Sequence, residues 1–168
     1  YAGGDGVQLV ASNHPIAAGH ASNLLTTAAN LSQTSLEQML IQIRNAVDNN
    51  GKRIRLTPEK LVLSPSNVFQ GEVLLKSVLR AGTGNNDINP IKSMGMLGGG
   101  QANLSRLTST TAWWVQTDAK VGLQLMMRRK LEKSMEGDFE TDSMRYKATE
   151  RYIPGWTDWR TVYGTPGL

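Results

Sequence analysis

Leu36, Met39, Leu40, Ile43 and Val47 recur at helical spacing and leave the rest of their segment polar. This single apolar stripe is the strongest constraint in the chain. Ser32 or Thr34 can cap the helix, and Thr34 with Glu37 has the spacing of a capping box. Asn49-Asn50-Gly51 supplies the stop. Burying five such side chains contributes on the order of 7–15 kcal/mol before entropy is counted. A helix of this kind must lie on something, most simply a sheet.

The following residues supply candidates for that sheet. After a turn at Thr57-Pro58, Lys60 to Ser64 reads as a buried strand. Pro65 ends it and suits a helix start. A second helix is predicted over 66–80, with Val68, Phe69, Leu75, Val78 and Leu79 on its core side. Residues 81–103, rich in Gly and Asn, read as one long loop and as the first place to look for partner contacts. From Ala112 onward the pattern is β-like, at 113–116, 121–127, 143–152 and 160–163. Trp113 and Trp114 fall on such a strand, so their rings should point to opposite faces. The first 31 residues look irregular: a turn at Gly3 to Gly6, a short strand at Val7 to Leu9, a turn at Asn13 to Pro15, and a small, polar surface loop from Ala17 to Ala29. The order of elements points to an α+β fold.

Composition narrows the chemistry. The 168 residues suit one ordinary domain or two small lobes. With 39% hydrophobic residues and a mean hydropathy of −0.33, the chain suits a globular fold with one modest core. No run approaches the ~20 apolar residues of a membrane helix. There is no cysteine, which removes disulfides, thiol nucleophiles and cysteine-based zinc sites. The net charge is +4 and the pI about 9.5, with the densest basic run at Arg128-Arg129-Lys130. That run reads as a solvated face or a subunit contact before it reads as a nucleic-acid footprint. The start at Tyr1 is read as that of a fragment or processed product.

Catalytic readings find little support. His14 and His20 are the only histidines, and two loop histidines do not make a zinc site. No Gly-x-Ser-x-Gly elbow is present. Gly82-Thr83-Gly84 lacks the third glycine of a dinucleotide fingerprint, and Gly98-Gly99-Gly100 is not followed by Lys and Ser or Thr. Glu136, Asp138, Glu140 and Asp142 form an acidic ladder. On a strand these carboxylates would share one face, ~6–7 Å apart, a spacing that superficially suits paired-carboxylate hydrolysis. A calcium loop counted from Asp138 fails, because Ser143 and Thr149 stand where Gly and Glu belong. The favoured reading is a charged edge, or a set of partners for a neighbour's Arg and Lys. The pI and the tryptophans at 113, 114, 156 and 159 also suggest a nucleic-acid-binding module. That module and a carboxylate-based hydrolase remain the two alternatives.

The stretches Glu136–Asp142, Tyr146–Tyr152, Gly155–Arg160 and Tyr163–Gly167, with Asn86–Lys92 and Leu107–Trp114 upstream, resemble the C-terminal part of a tailed-bacteriophage major capsid protein. The resemblance runs from Asp5 to Gly164 and corresponds to the portion after the spine helix. It implies an axial domain, a sheet flanked by helices, plus part of the peripheral sheet. Residues 1–29 would be a loop segment leading in, 30–121 the axial-type domain, and 122–168 the peripheral-type strands and the return to the body. The implied role is a structural subunit of an icosahedral shell around packaged double-stranded DNA, assembled in the host cytoplasm, with no catalysis and no cofactor. Its partners would be other copies of itself in capsomers, together with scaffolding, portal or decoration proteins. The DNA would be enclosed without sequence-specific binding, and no membrane would be involved. Loop length places Asp87, Asn89, Gly98, Gly99 and Gly100 near a symmetry axis. Charge places Arg128, Arg129, Glu136, Asp138 and Glu140 between subunits.

Overall fold

A computed structural model describes residues 2–80, 84 and 87–168. Part of the expected long loop, residues 81–83, 85 and 86, lies outside them. A short hairpin comes first, β1 (His14–Ile16) and β2 (Gly19–Ala21). Helix α1 (Gln33–Arg44) follows, then strand β3 (Pro58–Leu63), helix α2 (Val68–Lys76) and the single-turn helix α3 (Pro90–Ser93). The remaining strands are β4 (Gln101–Asn103), β5 (Trp113–Thr117), β6 (Leu123–Asp138), β7 (Ser143–Trp156) and β8 (Val162–Thr165).

The helix α1 stripe does meet a sheet. Four strands run in the order β4-β3-β5-β8, with β3 and β4 parallel and the other pairs antiparallel. Register puts Leu61 beside Val115, Leu63 beside Trp113 and Val115 beside Tyr163, all on one face. These side chains are buried and share one core cluster with Leu36, Met39, Leu40 and Ile43. Trp113 is fully buried and its Nε1–H donates to Ala29 O at 3.0 Å. Trp114 faces the other way and stays half-buried, as alternation along a strand requires. Burial holds the Tyr163 phenol in its neutral form and pushes its pKa well up.

Several expectations need correction. The cap of α1 is Ser32 paired with Ser35, whose hydroxyl accepts from the Ser32 N–H at 2.9 Å; Thr34 and Glu37 are not the capping pair. The helix stops at Arg44, so Val47 lies beyond it, in an isolated bridge to Arg53. Helix α2 is shorter than 66–80 and buries Gly71 and Leu74, while Phe69, Val78 and Leu79 are exposed. The cause is a wrong phase: a nine-residue helix places Leu74, not Phe69, against its neighbours. The 81–103 stretch is not all loop, since it carries α3 and β4. Residues 17–29 are no surface loop either, because Ala21, Asn23 and Leu25 are buried. The 121–127 strand extends to Asp138, and the last strand starts two residues later than expected, at Val162.

Truncating the helix–sheet contact tests this core. Met39→Ala should lower the unfolding free energy by about 2–5 kcal/mol. Ile41→Ala, on the exposed side of the same helix, should change it by less than about 0.5 kcal/mol. Urea titration of both variants makes the comparison.

Candidate functional site

Strands β6 and β7 leave the body as a two-stranded antiparallel ribbon. Nearly every side chain on it is exposed. Directly opposed residues share a face, so register alone sorts the outer half. Met135 lies opposite Tyr146, and Gly137 opposite Met144, on one side. Glu136 lies opposite Arg145, Ser134 opposite Lys147 and Asp138 opposite Ser143 on the other. The outer ribbon is therefore amphipathic, with a Met/Tyr side and a charged side. Nearer the body both sides are apolar: Leu125 pairs with Pro154, Met126 with Ile153 and Met127 with Tyr152. Between these zones lies a cationic band, where Arg129 faces Arg151 and Arg128 and Lys130 flank the pair. Two register shifts, between Met127 and Arg129 and between Arg129 and Glu132, fall in that band.

The acidic ladder is broken up by this geometry. Glu136 and Asp138 lie on β6, but Glu140 and Asp142 lie in the turn 139–142. Asp138 organises the tip. Its Oδ1 accepts from the Glu140 N–H at 3.3 Å. Its Oδ2 accepts from Thr141 Oγ1 at 3.1 Å and from Arg145 Nη2 at 2.7 Å. The Asp138–Arg145 pair thus lies within one chain, not between chains, and being exposed it adds only about 0–1 kcal/mol. Phe139 stands beside it, fully exposed. Arg128 and Arg129 lie about 23–26 Å from Glu136 at ~3.3 Å per residue, so they do not meet the tip acids of their own chain.

The remaining predicted residues lie around α3. Asp87 is exposed, and its backbone oxygen accepts from the Arg80 N–H at 2.8 Å. Asn89 is buried: it caps α3 through Ile91 N, and its amide donates to Leu74 O at 2.8 Å and Ser77 O at 3.1 Å. Its side chain is turned inward, so it offers nothing to a neighbour. Gly98, Gly99 and Gly100 lead into β4, with Gly99 N–H bonded to Glu59 O at 2.8 Å. Gly98 and Gly99 are exposed.

The base of the ribbon holds a cluster that sequence reasoning missed. The Asn23 amide donates to Leu9 O at 2.6 Å, Trp159 O at 3.0 Å and Val162 O at 2.7 Å. Three carbonyls fix its orientation, so its Oδ1 is the acceptor that faces Ala11 N and His14 Nε2. His14 Nδ1 lies 2.7 Å from Asp5 Oδ2. Both ring nitrogens therefore face side-chain oxygens. The imidazole stacks on Trp159 at 4.6 Å and meets Trp156 edge-on at 6.1 Å. Two close approaches hold the ribbon's roots: a Cβ on Gly3 would run into the Trp156 ring, and one on Gly122 would run into the Thr161 side chain. The expected turn at Asn13 to Pro15 is not there, because His14 opens strand β1, and no local signal marks Asn23, which reaches partners more than 130 residues away. Among the described residues no group of three His, Asp or Glu side chains converges as a metal site. No helix among them is long and apolar enough to cross a membrane.

A family model described as "Phage capsid protein" matches residues 2–164. The chain belongs to this phage capsid family, a family of structural proteins of the virion that assemble with copies of themselves. No curated protein matches the chain.

Desolvation pushes the Asp5 carboxyl up, but the His14 and Val7 hydrogen bonds and the imidazole charge outweigh it, so it lies below its ordinary value. Below about pH 4 the unfolded chain therefore takes up a proton that the folded chain resists, and stability falls as pH drops. The melting temperature of the parent should decline more steeply than that of Asp5→Asn between about pH 4 and pH 3. A parallel decline in the two proteins would show that Asp5 adds nothing in this window.

Proposed function

We propose that this chain is a self-assembling subunit of an icosahedral head shell that encloses packaged double-stranded DNA. The observation that carries the reading is the ribbon of β6 and β7. A two-stranded ribbon alone is marginal in water. This one also exposes Leu125, Met127, Met135, Met144, Tyr146 and Ile153, and apolar surface of that extent marks a contact site. The family membership makes copies of the same chain the natural partners. Residues 30–121, with the helix-backed sheet, correspond in this reading to an axial-type domain. Residues 122–168 correspond to peripheral-type strands and the return to the body, and 1–29 lead in.

Asp87 and Gly98 to Gly100 then line loops near a capsomer axis. Arg128, Arg129, Glu136 and Glu140 mediate contacts between subunits, and Asp138 shapes the tip that presents the acids. Many weak contacts summed over a closed ring give a stable shell. The DNA is enclosed without sequence-specific contacts, assembly takes place in the host cytoplasm, and scaffolding, portal or decoration proteins join it. The subunit works by geometry rather than by catalysis.

Light scattering and negative-stain imaging of the protein test the reading. Rings, pentamers, hexamers or shells are the expected outcome, and a strict monomer under all conditions would overturn it. Arg129→Ala should weaken assembly while leaving the melting temperature within a few degrees, because Arg129 is exposed. The effect should shrink as salt rises.

A further inference from the structure

The sheet has a second face that its own chain leaves open. Val62, Trp114 and Val162 point away from helix α1, and with Leu9, Leu107 and Leu123 they line an apolar groove of about 610 Å³. That volume falls within the ~300–1,000 Å³ of cavities that hold several apolar groups. Its rim is basic. Lys60 stands beside Gln116 on the same face by register, and exposed Arg106 sits between the groove residues Leu104 and Leu107. Neither cation is in an ion pair among the described residues.

The ribbon tip is the counterpart. It presents Phe139, fully exposed in the turn 139–142, with exposed Glu140 and Asp142 beside it, while Asp138 is held by Arg145. A phenylalanine flanked by two carboxylates matches an apolar groove with a lysine and an arginine close by. The tip cannot fill the groove of its own chain. Leu123, the first residue of β6, lines the groove, and the strand then runs about 50 Å away from it at ~3.3 Å per residue.

We propose that the ribbon tip of one copy docks, Phe139 first, into the groove over Trp114 of a second copy. This rests on the self-assembly reading above and specifies its contact. The two surfaces differ, so the contact is heterologous: each copy gives a tip and receives a tip. Such a contact propagates head to tail and closes only as a ring.

The absence of cysteine makes the test specific. Phe139→Cys and Leu104→Cys proteins are assembled as a mixture and separately, then oxidised. A cross-linked dimer is expected in the mixture and lost in either protein alone. The double variant F139C/L104C should yield a ladder of oligomers rather than a dimer. Phe139→Asp should abolish assembly without moving the melting temperature, since Phe139 makes no contact inside its own fold to lose. Assemblies that form without the mixed cross-link, or that cross-link through Phe139→Cys alone, overturn the tip-in-groove contact and leave self-assembly standing. A Leu104→Cys thiol that a small maleimide cannot reach in the unassembled protein shows the groove filled by its own chain, and likewise overturns the contact alone. A protein that never assembles overturns both readings.

Discussion

The Asn23 side chain joins the two ends of this fold. Its amide reaches the Leu9, Trp159 and Val162 carbonyls, and its oxygen accepts from Ala11 and faces His14. A buried amide with this many partners is costly to disturb, because each orphaned polar group would lose about 1–3 kcal/mol. The backbone extends the same junction, with Leu25 N–H bonded to Gly164 O and Gly164 N–H to Asn23 O, each at 3.0 Å. The opening segment is thus sewn to β8, and β8 completes the sheet that receives helix α1. Without that junction the segment that carries the β1–β2 hairpin would have little to hold it to the sheet.

The same cluster sets the direction of the ribbon. His14 stacks on Trp159 and meets Trp156, and Trp156 ends β7 while its ring lies on Gly3. Arg160 adds a further tie, with Nε donating to Val47 O at 2.8 Å and its guanidinium 4.3 Å above the Trp159 ring. Rigid packing at the root contrasts with the exposed apolar surface further out. Under the self-assembly proposal that contrast has a physical meaning: a stiff base would aim an arm whose apolar surface another copy would cover.

Local pattern carried part of this fold. The α1 stripe was legible because a 3.6-residue period shows directly which side chains share a face, and Leu36, Met39, Leu40 and Ile43 are all buried. The opposed faces of Trp113 and Trp114 followed from the two-residue period of a strand. Helix α2 was misread because it is too short for periodicity to fix its phase, and Phe69 ended up in solvent. The β6–β7 ribbon was half legible. Its strands were visible as β-like segments, but their length and isolation were not, because an exposed strand has no alternation imposed by a core. The acidic residues looked like one ladder until the turn at 139–142 separated Glu140 and Asp142 from Glu136 and Asp138.

What the chain determined by itself was therefore local: helix α1 and its buried stripe, strand β3, the alternation of Trp113 and Trp114, the absence of thiol chemistry, and a resemblance whose family the match over residues 2–164 bears out. Tertiary structure alone decided that Asn23 and His14 are interior, that Asn89 turns inward, and that the ribbon stands clear of the body. The reason is range. Helical and strand periods are set by neighbours a few residues apart, whereas Asn23 finds Val162 across 139 positions, and no local pattern encodes which distant carbonyls an amide will reach.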